Sequence, residues 1–255
     1  MFFISNWSML KIMKVSIDNF LGGKVRLKQS VAGYRATSDS VLLASGVLAK
    51  SGQSVLDVGC AGGVVSFCLQ ARVKNLNLTG VDIQDDLIML ANENNLLNNA
   101  TVEFLLADIL KKNEVLKGLQ FDHVVTNPPF YANGRGRDNE EQRKAFHETE
   151  SIEKWIRACA KYVKAKGSLT LIHRADAIPE ILSAFQKTAL GGIQVIPLVK
   201  DLKTPAKRVI VRGFLGSKKP FELKNPFVLH KENGEGYTDQ ADAILRIGMA
   251  LDDYL

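Results

Sequence analysis

The segment TNPPF at 126–130 sets a side-chain amide, two prolines and an aromatic ring at consecutive positions. Prolines stiffen the chain and remove backbone donors. What remains at Asn127, Pro128 and Pro129 is a set of acceptors directed at one place, with the face of Phe130 beside it. That arrangement suits a planar group bearing an NH2. The amide oxygen of Asn127 and the carbonyl of Pro128 take its two hydrogens, and Phe130 stacks on its ring. The nitrogen lone pair is then less delocalised into the ring and can attack an electrophile. A rigid turn leaving a strand is the competing, purely structural reading of the same four residues.

A second group precedes it. VLDVGCAGG at 55–63 reads as a strand running into a glycine-rich turn and then a helix. Glycines let backbone approach a ligand closely, and a helix N-terminus favours negative charge. Asp82 closes the next strand, 23 residues after Gly59. A carboxylate there can accept both hydroxyls of a ribose. The turn reads Gly59-Cys60-Ala61-Gly62-Gly63-Val64, with valine where a dinucleotide fingerprint needs its third glycine, so a dinucleotide is disfavoured. Asp108 ends a third strand and offers an acceptor to an exocyclic amine, or a cap to whatever follows it.

These residues need a scaffold, and the pattern from 54 to 215 supplies one. Strands are expected at 54–59, 76–83, 101–108, 121–127 and 167–173. Helices are expected at 64–73, 85–99, 151–165 and 176–189, with Ser151 capping the third and Gly167 following its end. This alternation implies a parallel sheet with right-handed crossovers. IQVIPLV (193–199) and RVIVRGFL (208–215) leave only eight residues between them, too few for a crossover, so they form an antiparallel pair expected at the sheet edge. Ligands of such sheets bind outside the carboxyl ends of the strands. Residues 1–50 form a front cap with a helix around SDSVLLASGVLAK; 51–216 form the main domain; 217–255 form a tail packing on it, with a glycine-rich turn from Asn233 to Gly236 and a short helix.

The 255 residues are 46% hydrophobic and 24% charged, ordinary for a globular chain long enough to bury a core. Cys60, Cys68 and Cys159 form no metal-binding or disulfide pattern, which fits a reducing compartment and no metal. No apolar run is long enough for a membrane span. The opening MFFISNWSML lacks the basic start and cleavage site of a signal peptide, and 1–13 receive no role, with Met9 and Met13 as alternative starts. A cytoplasmic monomer is expected. The net charge is +6, and residues 200–219 alone hold Lys200, Lys203, Lys207, Arg208, Arg212, Lys218 and Lys219 against Asp201. A smaller excess lies at Lys24, Arg26, Lys28 and Arg35. Either cluster is a solvated face or a footprint for a polyanion.

Asp57-x-Gly59, Asp82, Asp108 and Asn127-Pro128-Pro129-Phe130, in this order and spacing, resemble the amino-group methyltransferases that use S-adenosylmethionine. The front segment GYRATSDSVLLASGV and the tail GYTDQADAIL narrow the resemblance to the bacterial valine-tRNA adenine-N6 methyltransferase group, over roughly residues 14–255. The resemblance implies a Rossmann-like α/β fold with a seven-stranded sheet, and methylation of an adenine amine in tRNA next to the anticodon. It implies a cofactor site of Asp39, Asp57, Gly59, Cys60, Ala61, Gly63, Asp82, Ile83, Asp108, Ile109 and Asn127. Asn127, Pro128, Pro129 and Phe130 become the catalytic loop. Tyr34, Arg35, Lys203, Lys207, Arg208 and Arg212 become candidates for RNA contact. One departure stands out: the family has glycine where this chain has Ala61, a methyl that would press on the methionine part of the cofactor. His147 is a structural or substrate-contacting residue, since the amine can lose its proton after transfer. Loops of this type also serve a protein glutamine amide or a guanine amine, and a non-catalytic RNA-binding module could keep the fold.

Overall fold

The computed structural model describes residues 15–31, 35–128, 151–232 and 234–255. Tyr34, Pro129, Phe130, Asn233 and His147 lie outside the described residues.

The centre is a sheet whose strands run β3 (Ser54–Val58), β4 (Asn77–Asp82), β5 (Glu103–Leu106), β6 (Phe121–Thr126), β7 (Val163–Arg174), β8 (Leu190–Val199) and β9 (Arg208–Leu215). Across the sheet the order is β8-β9-β7-β6-β3-β4-β5, the seven-stranded core expected. The five strands from β7 to β5 are parallel, and β9 lies antiparallel between β7 and β8. Val55, Leu56 and Val58 are all fully buried, because helices cover both faces. One face packs α1 (Ser38–Ser45), α2 (Val64–Arg72) and α3 (Asp85–Leu97); the other packs α4 (Ile152–Ala160) and α5 (Ile178–Gln186).

Three departures from the expected pattern have physical causes. The pair β8–β9 is not at the edge: the tail adds β10 (Glu222–Leu223) and β11 (Phe227–Val228), both parallel to β8 on its outer side. Helix α4 stops at Ala160, and Gly167 lies inside β7 rather than capping the helix; a Cβ there would sit 2.6 Å from the Asp122 carbonyl oxygen. The front cap contains a hairpin, β1 (Val15–Phe20) and β2 (Val25–Ser30), whose strands alternate in burial over only six residues each.

The hairpin is fastened by α3. Asn94 accepts from the Lys28 amide at 2.7 Å and donates to its carbonyl at 3.0 Å, and Asn98 does the same at Arg26, 2.8 and 2.6 Å. Two asparagines four residues apart on one helix face thus stand in for a neighbouring strand along β2. The tail ends in α6 (Asp239–Asp242), a single π-helical turn over Ala243–Ile247 and a 3-10 turn. Ala241, Ile244 and Leu251 are fully buried, so this segment belongs to the core. Among the described residues no helix is long and apolar enough to cross a membrane.

Candidate active site

The strand order reverses between β3 and β6, which opens a crevice at their carboxyl ends. The chain leaves β3 through the glycine turn. Gly59 takes φ +71°, and the amides of Gly59 and Cys60 both donate to the Val81 carbonyl, at 2.9 and 3.0 Å. Gly63, at φ +88°, begins α2 where a Cβ would lie 2.7 Å from both Phe104 and Phe67. Ala61 also takes a left-handed φ, +46°, without glycine's freedom. Its amide donates to Asp82 Oδ2 at 2.9 Å, and Gln84 donates to Oδ1 at 3.0 Å. Asp82 is buried, and that burial raises its pKa above the usual carboxylate value despite the backbone donors.

Asp57 turns away from the crevice. Its Oδ2 accepts from the Ser66 amide and hydroxyl, at 3.2 and 2.8 Å, tying β3 to α2. Burial pushes its carboxyl up to about 7. Cys60 is buried in the turn and its thiol is pushed well above the ordinary range, again chiefly by burial, so it fills space rather than attacking. Asp108 follows β5; its Oδ1 accepts from the Leu110 amide at 3.0 Å and its other oxygen pairs with Lys111 at 3.1 Å.

Between these strand ends lies an open cleft lined by Gly59, Asp82, Ile83, Asp108, Ile109 and Trp155 among others. Two carboxylates at one end of adjacent strands, with isoleucines and an indole in the same wall, form an acceptor set suited to an adenosine, which has hydroxyls and an amine to donate and a flat ring to bury. Asn127 emerges at the end of β6, and its Oδ1 is shielded from solvent without a hydrogen-bond partner among the described residues. A buried amide oxygen left unbonded is costly, and a ligand donor relieves it.

The family model for the methyltransferase small domain matches residues 34–190, more than half of the chain. This chain belongs to that family. It is an S-adenosylmethionine-dependent methyltransferase. It is similar to a tRNA1(Val) (adenine(37)-N6)-methyltransferase of Glaesserella parasuis, 24% identical over 179 residues, covering 69% of this chain and 75% of the relative. A release factor glutamine methyltransferase of Fusobacterium nucleatum is 33% identical over 78 residues, 30% of this chain and 22% of that one. In fold it is similar to a predicted O-methyltransferase of Agrobacterium tumefaciens, with TM-score 0.70 and 24% identity over 83% of this chain and 97% of that one. It also resembles the Thermus thermophilus 16S rRNA N2 G1207 methyltransferase, solved with S-adenosylmethionine and guanosine (TM-score 0.55, 17% identity, 83% of this chain and 53% of that one).

The basic residues of this methyltransferase part company. Arg212 is fully buried on β9 and donates to both carboxylate oxygens of Asp252, at 3.1 and 2.8 Å. The expectation that it faces RNA is therefore corrected: β9 is an interior strand covered on both faces, and the arginine closes the tail onto the sheet. Arg208 donates to Asp39 Oδ2 at 2.8 Å. Arg35 donates to Ser16 Oγ at 3.1 Å and pairs with Asp18. Lys218 and Lys219 follow β9 at the opposite end of the sheet. Lys203 and Lys207, with Lys200, stay exposed in the β8–β9 loop, at the end where β6 delivers Asn127. Thr37 caps α1, accepting from the Asp39 amide at 3.3 Å, and Asp39 lies in the first turn.

Sequence reasoning missed Trp155, which lines the cleft, and Asn94, whose Nδ2 also donates to the Gly62 carbonyl at 3.0 Å. Trp155 had a signal: an indole N–H on the buried face of an amphipathic helix needs an acceptor. Asn94 had a weaker one, an amide on the apolar face of α3.

Proposed function

We propose that this methyltransferase acts on the exocyclic amine of an adenine in tRNA, next to the anticodon. The observation that carries the reading is the Asn127 Oδ1 at the end of β6, buried and without a hydrogen-bond partner among the described residues. S-adenosylmethionine, when bound, supplies a methyl group on a positively charged sulfur. In this reading Asp82 accepts the ribose hydroxyls, Asp108 accepts the adenine amine, and Ile83 and Ile109 bury the adenine ring. Asp57 and Gly63 hold the turn, and Asp39 stands at the methionine end. Asn127 and the carbonyl of Pro128 accept the two hydrogens of the acceptor amine, which turns its lone pair out of the ring. That interaction strengthens as the nitrogen becomes tetrahedral, so it acts on the transition state more than on binding.

Two features support RNA as the carrier of that amine. The relative similar over most of its length modifies tRNA adenine, whereas the glutamine-modifying relative matches a short stretch. Lys200, Lys203 and Lys207 stand exposed at the active end of the sheet, with Asp201 as the carboxylate beside Lys200. The loop joins β8 and β9, three and two strands from β6, which at about 4.8 Å per strand places it roughly 10–14 Å from the end of β6.

The deciding experiment is mass-spectrometric nucleoside analysis of tRNA from a strain lacking the gene. Loss of N6-methyladenosine from one tRNA, restored by wild type and not by Asn127→Ala, is expected. An unchanged tRNA profile, with methyl label appearing instead on protein or rRNA, overturns the reading.

A further inference from the structure

We propose that Trp155 is a positioning residue that holds the cofactor turn and the acceptor loop in one register. Thr126 is fully buried, and its hydroxyl donates to the Val58 carbonyl at 2.8 Å. The same oxygen accepts from the Trp155 indole N–H at 3.0 Å. Val58 immediately precedes Gly59, where the cofactor turn begins, and Thr126 immediately precedes Asn127. One indole–hydroxyl–carbonyl chain therefore spans the two strand ends on which both halves of the site depend.

Trp155 also meets the cleft itself. Its ring lies 3.5 Å from where a Cβ on Gly59 would be, and it forms part of the cleft wall with Asp82, Ile83 and Asp108. A ligand seated in that cleft meets the indole, and any shift of the ring pulls on the residue beside Asn127. The parallel ladder between β3 and β6 fixes their register only as far as Val58 and Thr126. Beyond it the two chains diverge, so the last bond across the gap sets the separation of cofactor turn and amide. This is a link between occupancy of the cleft and the geometry of Asn127. It rests on the proposed role of Asn127 for its catalytic consequence, but not for its response to cofactor.

The chain has two tryptophans, so a Trp7→Phe background leaves Trp155 as the sole reporter. In that background, indole emission is followed while S-adenosylhomocysteine is added, with calorimetry in parallel. The emission is expected to change with a midpoint matching the calorimetric Kd. Thr126→Val is expected to shift the emission of the free protein, keep cofactor affinity within about threefold, and lower turnover at saturating acceptor by about tenfold to a hundredfold. Thr126→Ser, which keeps the hydroxyl, is expected to restore turnover. Trp155→Phe, which keeps an aromatic ring but loses the indole N–H and its second ring, is expected to lower turnover as Thr126→Val does, and it serves if the valine variant does not fold. Unchanged emission at calorimetric saturation overturns the cofactor half of the proposal. A folded Thr126→Val or Trp155→Phe variant with wild-type turnover overturns the positioning half. Asn127→Ala with wild-type turnover would instead overturn the reading of Asn127, which the emission experiment does not touch.

Discussion

Arg208 Nε donates to Asp39 Oδ2 at 2.8 Å, joining the first turn of α1 to the start of β9 beside the site. Each side chain has a separate expected partner, phosphate for Arg208 and the cofactor's methionine end for Asp39, yet they hold each other. Side-chain exposures of 34% and 20% leave solvent to weaken the pair, so a double-mutant cycle with Asp39→Asn and Arg208→Met should give a coupling of about 0.5–1 kcal/mol. If Asp39 reaches the cofactor, Asp39→Asn will weaken calorimetric affinity for S-adenosylmethionine and Arg208→Met will change it in the same direction, having loosened Asp39. Affinity unaffected by both variants would confine the pair to joining α1 and β9.

Asp57 makes stability depend on pH. Its carboxyl is raised from 3.8 to about 7 by burial. Between those values the folded protein holds a proton that the unfolded chain has released. Its favourable contribution is therefore complete below about pH 4 and is lost as pH rises through 7. The swing is on the order of 4 kcal/mol. Asp57→Asn keeps an oxygen for Ser66 and removes the titration. Denaturant melts should show the wild type losing stability from pH 5 to pH 8, with the variant flatter. Parallel curves would mean that Asp57 is already ionised at pH 5.

The parallel strands were legible because short stretches rich in β-branched and apolar residues, such as Val55, Leu56 and Val58 or Val124 and Val125, are bounded by turn residues, the form expected of strands buried on both faces. The cleft was legible because its carboxylates close successive strands. Arg212 misled because alternation assigns a strand's faces but not their surroundings. Both faces of β9 are interior, and the partner that permits a buried arginine, Asp252, is 40 residues on in a tail with little pattern of its own. Trp155, Thr126 and Asn94 act through side-chain bonds between distant elements, which no local period records.

Ala61 carries strain. At φ +46° an alanine is less favourable than glycine by about 1 kcal/mol. Ala61→Gly should raise stability by roughly 0.5–1 kcal/mol, or about 1–4 °C in Tm for a chain of this size. The amide that donates to Asp82 is unchanged by the substitution. Calorimetry should therefore find cofactor affinity equal or higher. A lower Tm would show that the methyl contributes packing worth more than the strain.

Arg212 and Asp252 bind the tail to the sheet. Removing the carboxylate strands a buried guanidinium, at 1% side-chain exposure, with Gln194, 3.2 Å away, as the remaining acceptor among the described residues. Breaking a fully buried pair costs roughly 3–5 kcal/mol, and Asp252 is one-third exposed, so Asp252→Ala should cost about 2–3 kcal/mol. Arg212→Met combined with Asp252→Leu should recover much of that, since no buried charge remains. Urea melts of the three proteins test this. A double variant weaker than Asp252→Ala alone would mean that the arginine's packing, not its charge, is what the site needs.

The last expectation concerns the β8–β9 loop. Lys200, Lys203 and Lys207 are exposed there, while Arg212 is buried, Arg208 is engaged with Asp39, and Lys218 and Lys219 lie at the far end. If a tRNA backbone crosses the end of the sheet to present a base to Asn127, these three lysines are the cations in its way. Each phosphate contact contributes roughly −0.7 to −0.9 to the slope of log affinity against log salt. Lys200→Ala, Lys203→Ala and Lys207→Ala together should flatten that slope by about two units and leave calorimetric cofactor affinity unchanged. Lys218→Ala with Lys219→Ala should change the slope by much less, which separates a local contact from a general loss of positive charge. Equal flattening by both sets would mean that only the overall field attracts RNA. No flattening by either would remove this loop from the docking surface, leaving the hairpin cations Lys24, Arg26 and Lys28 as the next residues to neutralise.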